Sequence, residues 1–191
     1  MISYLKKYTT VIGFIIFLGF MVPISVPMIN IFGASTKISF LTPIQPFTAV
    51  FLHLNGMHWL TNSIYLLIII WCDSVNKQQL AHPVLGVIMI GALDNLFAIV
   101  ATLSYNLPTM VIIGASGGIF GLLGYVLINN LITLYCKPRN KKVYIALGLL
   151  ITVIYVVLTS NPNITSNIVH LTGLTIGSIA AIYKWQTKKT A

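Results

Sequence analysis

The chain has 191 residues, 57% of them hydrophobic and only 7% charged, with eleven basic and two acidic side chains and a formal net charge of +9. A soluble domain carries roughly 25% charged residues, so this composition excludes one and indicates an integral membrane protein with room for one compact bundle. The basic residues fall in short clusters between apolar runs, not over one face, which excludes nucleic-acid binding and points to membrane orientation.

A helix needs about 20 apolar residues to cross the hydrocarbon core. Lys6 and Lys7 precede an apolar run over 9–32, interrupted by Pro23 and Pro27. That run is too long for the core of a signal peptide and lacks an A-x-A cleavage site, so it reads as a retained first span. Residues 33–50 form a Ser/Thr/Pro-containing connection with Phe40 and Phe47, apolar enough to lie in the membrane interface. The second span is expected over 56–72, followed by a polar break over 73–79 containing Lys77. The third, over 83–103, carries Asp94 and ends in a turn over 104–108. The fourth covers 116–135 and leads into a basic loop over 137–142. The fifth covers 143–159, a polar turn follows over 160–166, and the sixth covers 167–183 before a Lys-rich tail. The expectation is an all-α, six-span bundle occupying the whole chain as one membrane domain.

With the N-terminus inside, Lys6, Lys7, Lys77, Lys137, Arg139, Lys141, Lys142, Lys184, Lys188 and Lys189 fall on the inner side and only Lys37 outside. The positive-inside rule then puts both termini in the cytoplasm and supports an even number of spans. Cys72 and Cys136 fall near inner helix ends, which argues against a structural disulfide, and both read as buried apolar residues. Their spacing matches no metal motif.

In this topology spans two, four and six all enter from the outer surface. Ser116 opens span four between small residues, His170 lies about one turn into span six, and His53, His58 and Asn62 lie at the start of span two. Polar groups in a membrane are costly and face the bundle interior or a wet cavity. Three spans thus place their unusual polar residues at one depth. A serine hydroxyl needs a base to accept its proton, and histidine has the pKa for that task. The only carboxylates, Asp73 and Asp94, lie at other depths, so a Ser–His dyad is expected in place of a triad. Donors for a developing oxyanion would be the Ser116 N–H and the side chains of His58 and Asn62, which share a helix face. Gly117 and Gly121 on span four, extended by Gly124, and Gly173 and Gly177 on span six make small surfaces through which two backbones approach closely.

These residues resemble the motifs of the rhomboid intramembrane serine proteases. Gly114-Ala115-Ser116-Gly117 resembles the family's G-x-S-G, and His170-Leu171-Thr172-Gly173 with Gly177 resembles its H-x-x-G-x-x-x-G. His53, His58 and Asn62 resemble its spaced histidines and asparagine. The resemblance implies a Ser116 nucleophile and a His170 base, with the oxyanion held by His58, Asn62 and the Ser116 backbone, while His53 braces the first loop. It also implies transmembrane protein substrates entering from the lipid bilayer, a site open to the extracellular side, and no cofactor. The missing tails suggest a bacterial-type core in a plasma membrane. Three departures stand out: Phe120 replaces a tyrosine expected to stack on the histidine, Gln45 falls where the first loop often has arginine, and Asp73 is the nearest equivalent of an acid beyond span two.

Two other classes compete. One is an inactive rhomboid-like protein that binds transmembrane clients without cutting them. The other is a small transporter, with Asp94, Asn95 and Thr102 forming a polar face along a path. His82 reads as a plain surface residue. The chain has no glutamate and no H-E-x-x-H, which argues against a zinc protease.

Overall fold

The computed structural model describes residues 2–37, 42–75, 80–105, 111–160 and 164–190. Lys77, Phe40, most of the 104–108 turn and part of the 160–166 turn lie outside the described residues. Helix α1 (Ile2–Phe32) is followed by a short strand β1 (Ala34–Ser35), a one-turn helix α2 (Gln45–Thr48) and a 3-10 turn over Ala49–Phe51. Then come α3 (Gly56–Val75), α4 (Pro83–Ser104), strand β2 (Val111–Ile112), α5 (Ser116–Cys136), α6 (Lys141–Ser160) and α7 (Ile164–Thr190).

The six long helices lie close to the six expected segments. Five of them are long and apolar enough to cross a membrane. The exception is α3, expected as the second span; His58, Thr61, Asn62, Ser63 and Asp73 dilute its hydropathy. Helix α1 runs through Pro23 and Pro27 without a break, as membrane helices often do when neighbours compensate the lost backbone bond. The basic segment also shortens: α6 starts at Lys141, leaving a turn of four residues.

Helix α5 is the centre of the bundle. Half of its apolar stretch is buried inside the protein, against 17% for α1 at the edge. Glycine makes this possible. A Cβ on Gly173 would strike the Gly117 carbonyl, one on Gly177 the Gly121 carbonyl, and one on Gly124 the Leu174 carbonyl. The α5 and α7 backbones therefore touch directly at these glycines. On the other flank of α5 a Cβ on Gly118 would strike the Val87 carbonyl of α4.

The first connection is tied down by side chains. Gln45 is buried; its Nε2 donates to the Ile31 carbonyl at 3.0 Å, and its Oε1 accepts from the Thr42 N–H at 3.1 Å. The Thr48 hydroxyl donates to the Phe32 carbonyl at 2.6 Å, and Asn95 of α4 donates to the Pro46 carbonyl at 2.8 Å. Gln45 thus anchors the loop at the position where arginine was expected. Ile44 and Phe47 face outward, which suits a segment lying in the interface. Strands β1 and β2 pair antiparallel, Ala34 opposite Ile112 and Ser35 opposite Val111. This two-residue pairing, absent from an all-α expectation, ties the end of α1 to the entry of α5.

Cys72 is buried, with its thiol 3.7 Å from the Ala146 carbonyl, but Cys136 is exposed. The expectation of two buried cysteines fails for Cys136 because it is the last residue of α5, beyond the packed core. Asp73 is buried and accepts from the Leu80 N–H at 3.0 Å, capping the approach to α4.

Candidate active site

The approach to α5 is built by Gly114. Its φ is +109°, which favours glycine, and a Cβ there would lie 2.8 Å from Cε1 and 3.0 Å from Nε2 of His58. The Gly114 N–H donates to the Ala49 carbonyl at 2.8 Å, holding the turn against the first connection. Ala115 caps α5 and Ser116 is its first residue. The leading N–H groups of a helix have no intrahelical acceptor, so the hydroxyl of Ser116 sits beside free backbone donors and the positive end of the helix dipole.

Ser116 opens onto a cavity of about 340 Å³ shared with His170, His58, Asn62 and Phe120. Its remaining walls are Thr61 and Tyr65 of α3, Ile113, Val157 of α6 and Ser166 of α7. The ring of Phe120 stacks on His170 with centroids 4.6 Å apart and planes 24° apart. Phe120 keeps the aromatic clamp without the hydroxyl of the expected tyrosine. Among the described residues the Nδ1 of His170 is buried without a hydrogen-bond partner, which leaves Nε2 as the nitrogen available to the cavity. Among the described residues no hydrogen bond joins Ser116 to His170. Dyad bonds are often long in unliganded sites and tighten with substrate.

His53 stays outside the cavity and orients what lines it. Its backbone N–H donates to the Ser25 hydroxyl of α1 at 3.1 Å. Its Nε2 lies 3.1 Å from Nδ2 of Asn62, and its ring centroid 5.0 Å from that of His58. Burial first, then the neighbouring His58, lowers its pKa to about 4, so the ring is neutral and its Nε2 accepts from the Asn62 amide. His53 therefore braces the first connection and also fixes the rotamer of Asn62.

The polar face expected on the third span comes apart. Asn95 bonds the Pro46 carbonyl, Thr102 turns back to the Ala98 carbonyl of its own helix at 2.8 Å, and Asp94 packs against Gly117 and Gly173. All three are buried and none lines the cavity. Among the described residues Asp94 has neither carboxyl oxygen hydrogen-bonded; the expectation that it lies at another depth fails, because it fills the space left by Gly117, next to Ser116, and by Gly173, one turn from His170. His82 is exposed at the N-cap of α4 and lines no part of the cavity.

The cavity walls Thr61, Tyr65, Ile113, Val157 and Ser166 escaped sequence reasoning. A signal existed for two of them: His58, Thr61, Asn62 and Tyr65 follow the i, i+3, i+4, i+7 spacing of one helix face.

These features define a polytopic helical membrane protein with a polar cavity set into an apolar bundle. The family model described as the Rhomboid domain matches residues 42–187, and the chain belongs to the rhomboid family. The matched region begins after α1. Comparison with curated proteins and with solved structures returned no match.

Proposed function

We propose that the protein is an intramembrane serine endopeptidase that cleaves transmembrane protein substrates with a Ser116–His170 dyad. The observation that carries this reading is one cavity shared by Ser116, His170, His58 and Asn62, with His170 clamped by Phe120. Membership of a family made up mostly of serine intramembrane proteases supports it.

In the proposed reaction the Ser116 Oγ attacks the scissile carbonyl carbon while Nε2 of His170 takes its proton. The oxyanion forms beside the Ser116 N–H, His58 and Asn62, whose fixed dipoles stabilise developing charge without reorganising. His170 then protonates the leaving amine, the C–N bond breaks, and an acyl-enzyme remains. Water from the cavity, deprotonated by His170, attacks the ester, releasing a carboxylic acid and restoring the serine. The stacked Phe120 holds the imidazole in plane, a task that the carboxylate performs in a triad. The distribution of basic residues supports a reading with both termini in the cytoplasm and the cavity toward the outer surface.

The test is cleavage of a model transmembrane substrate by purified protein in detergent without added metal. Ser116→Ala and His170→Ala are each expected to lower kcat by roughly 10³-fold or more. Equal cleavage by all three proteins would refute the dyad. No cleavage by folded wild type across several substrates would favour the client-binding alternative.

A further inference from the structure

We propose that the turn between α5 and α6 binds the headgroup of an anionic phospholipid. It lies at the far end of α5 from Ser116, about 30 Å away at 1.5 Å per helical residue.

The first observation is uncompensated charge. Lys137, Arg139, Lys141 and Lys142 lie within six positions, all exposed, and among the described residues none of their side chains makes a hydrogen bond or ion pair. The chain holds two acidic side chains in all, and both are buried, Asp73 at 2% and Asp94 at 0% exposure. The protein surface therefore offers no carboxylate side chain to neutralise the turn, which leaves it open to an external anion. Lys184, at the same end of the bundle, is different: its Nζ donates to the Tyr125 hydroxyl at 2.6 Å and lies 5.3 Å from the centre of that ring.

The second observation is a shaped recess. Lys137, Pro138, Arg139 and Asn140 line an open cavity of about 470 Å³. Its walls are held in place by local bonds. The Asn140 N–H donates to the Lys137 carbonyl at 3.3 Å, the Val143 N–H to the Asn140 carbonyl at 3.0 Å, and the Tyr144 hydroxyl to the Pro138 carbonyl at 3.0 Å. The cations are thus presented by a defined turn.

The third observation separates a lipid from a free anion. Tyr135 and Tyr144 flank the turn, 84% and 53% exposed, as aromatic residues do at headgroup depth. Directly beyond them Leu131 on α5 and Ile145 on α6 turn outward. Cations at the headgroup level with apolar faces next to them complement a phosphodiester with acyl chains, and juxtamembrane basic clusters attract anionic lipids.

The experiment is native mass spectrometry of the full chain released from detergent with equal amounts of phosphatidylglycerol and phosphatidylcholine. Wild type is expected to retain phosphatidylglycerol in preference. Combining Lys137→Gln, Arg139→Gln, Lys141→Gln and Lys142→Gln is expected to cut that retention by roughly tenfold or more. The Lys137→Gln, Arg139→Gln pair, checked by an unchanged melting midpoint, serves if the fourfold variant does not fold, and is expected to cut it severalfold. Lys184→Gln is expected to leave it unchanged. Equal retention of the two lipids overturns the proposal, as does undiminished retention in a folded turn variant. A loss in Lys184→Gln as large as in the turn variants would mean that net charge acts without a site. Displacement of the lipid by excess inorganic phosphate would mean a bare anion site. Both of these results also overturn the proposal.

Discussion

Two regions of the molecule meet at the cavity, and they are held by opposite means. Along the α5–α7 seam, backbone lies on backbone at Gly117–Gly173 and Gly121–Gly177. Across the first connection, side chains reach over to distant backbone groups, as in Gln45 to the Ile31 carbonyl, Thr48 to the Phe32 carbonyl, Asn95 to the Pro46 carbonyl and Ser25 to the His53 N–H. The seam carries the proposed nucleophile and base, and at its glycine contacts there are no rotamers to adjust. The connection supports the proposed oxyanion donors through bonds that can be lost singly. Rigid packing thus holds the helices that carry Ser116 and His170 together, and a set of separable bonds, ending in the one from Asn62 to His53, holds the orientation of Asn62.

The strongest way to break this contrast is Gly177→Ala. Its Cβ would land on the Gly121 carbonyl, where nothing flexible can yield, and a loss of about 3 kcal/mol or more is expected. Gly148→Ala is the matched control, because a Cβ there meets nothing within 4 Å. It is expected to gain a few tenths to about 1 kcal/mol through helix propensity. Unfolding in denaturing detergent measures both, and equal effects at the two glycines would refute the seam.

Next in size is the aromatic contact between Phe120 and His170, which crosses the seam at the site. Phe120→Ala is expected to lower kcat roughly tenfold, the equivalent of about 1.4 kcal/mol of stacking, with KM nearly unchanged. Phe120→Tyr is expected to keep most activity. If KM rises in place of a falling kcat, the ring contacts substrate and does not hold the base.

The smallest effect sharpens the other side. His53 has an ordinary pKa of 6.5, lowered to about 4 in the folded protein. The unfolded chain therefore binds more protons between those values, and stability falls as pH drops through that window. Going from about pH 7.5 to about pH 5.5 is expected to cost about 1 kcal/mol from this group. His53→Gln is expected to flatten its share of the slope in thermal melts. An unaltered slope would mean that His53 is not held neutral by its burial.

How much of this was written locally in the chain differs between the two regions. Apolar runs and their polar breaks mark the helices because the cost of crossing hydrocarbon is summed over neighbouring residues. Depth along those runs was enough to bring Ser116, His170, His58 and Asn62 to one level, and the glycine spacing was enough to suggest the seam. The bonds of the connection were not legible, since their partners are far apart in sequence: 28 positions for His53 and Ser25, 49 for Asn95 and Pro46. Asp94 misled for a related reason. Its neighbours Asn95 and Thr102 suggested a shared polar face, whereas each is satisfied in a different direction by a different element. Helix α3 shows the limit of hydropathy itself, because three of the residues that dilute it, His58, Thr61 and Asn62, are ones that line the cavity.

The position of the two thiols has a practical consequence. Cys136 ends α5 in the open, while Cys72 is enclosed by the core. The unmodified chain therefore carries one reactive handle, at the end of the bundle remote from Ser116. A maleimide that cannot cross a bilayer, added to intact cells and then to inverted vesicles, reports through Cys136 which compartment that end faces, with no engineered cysteine to disturb the protein.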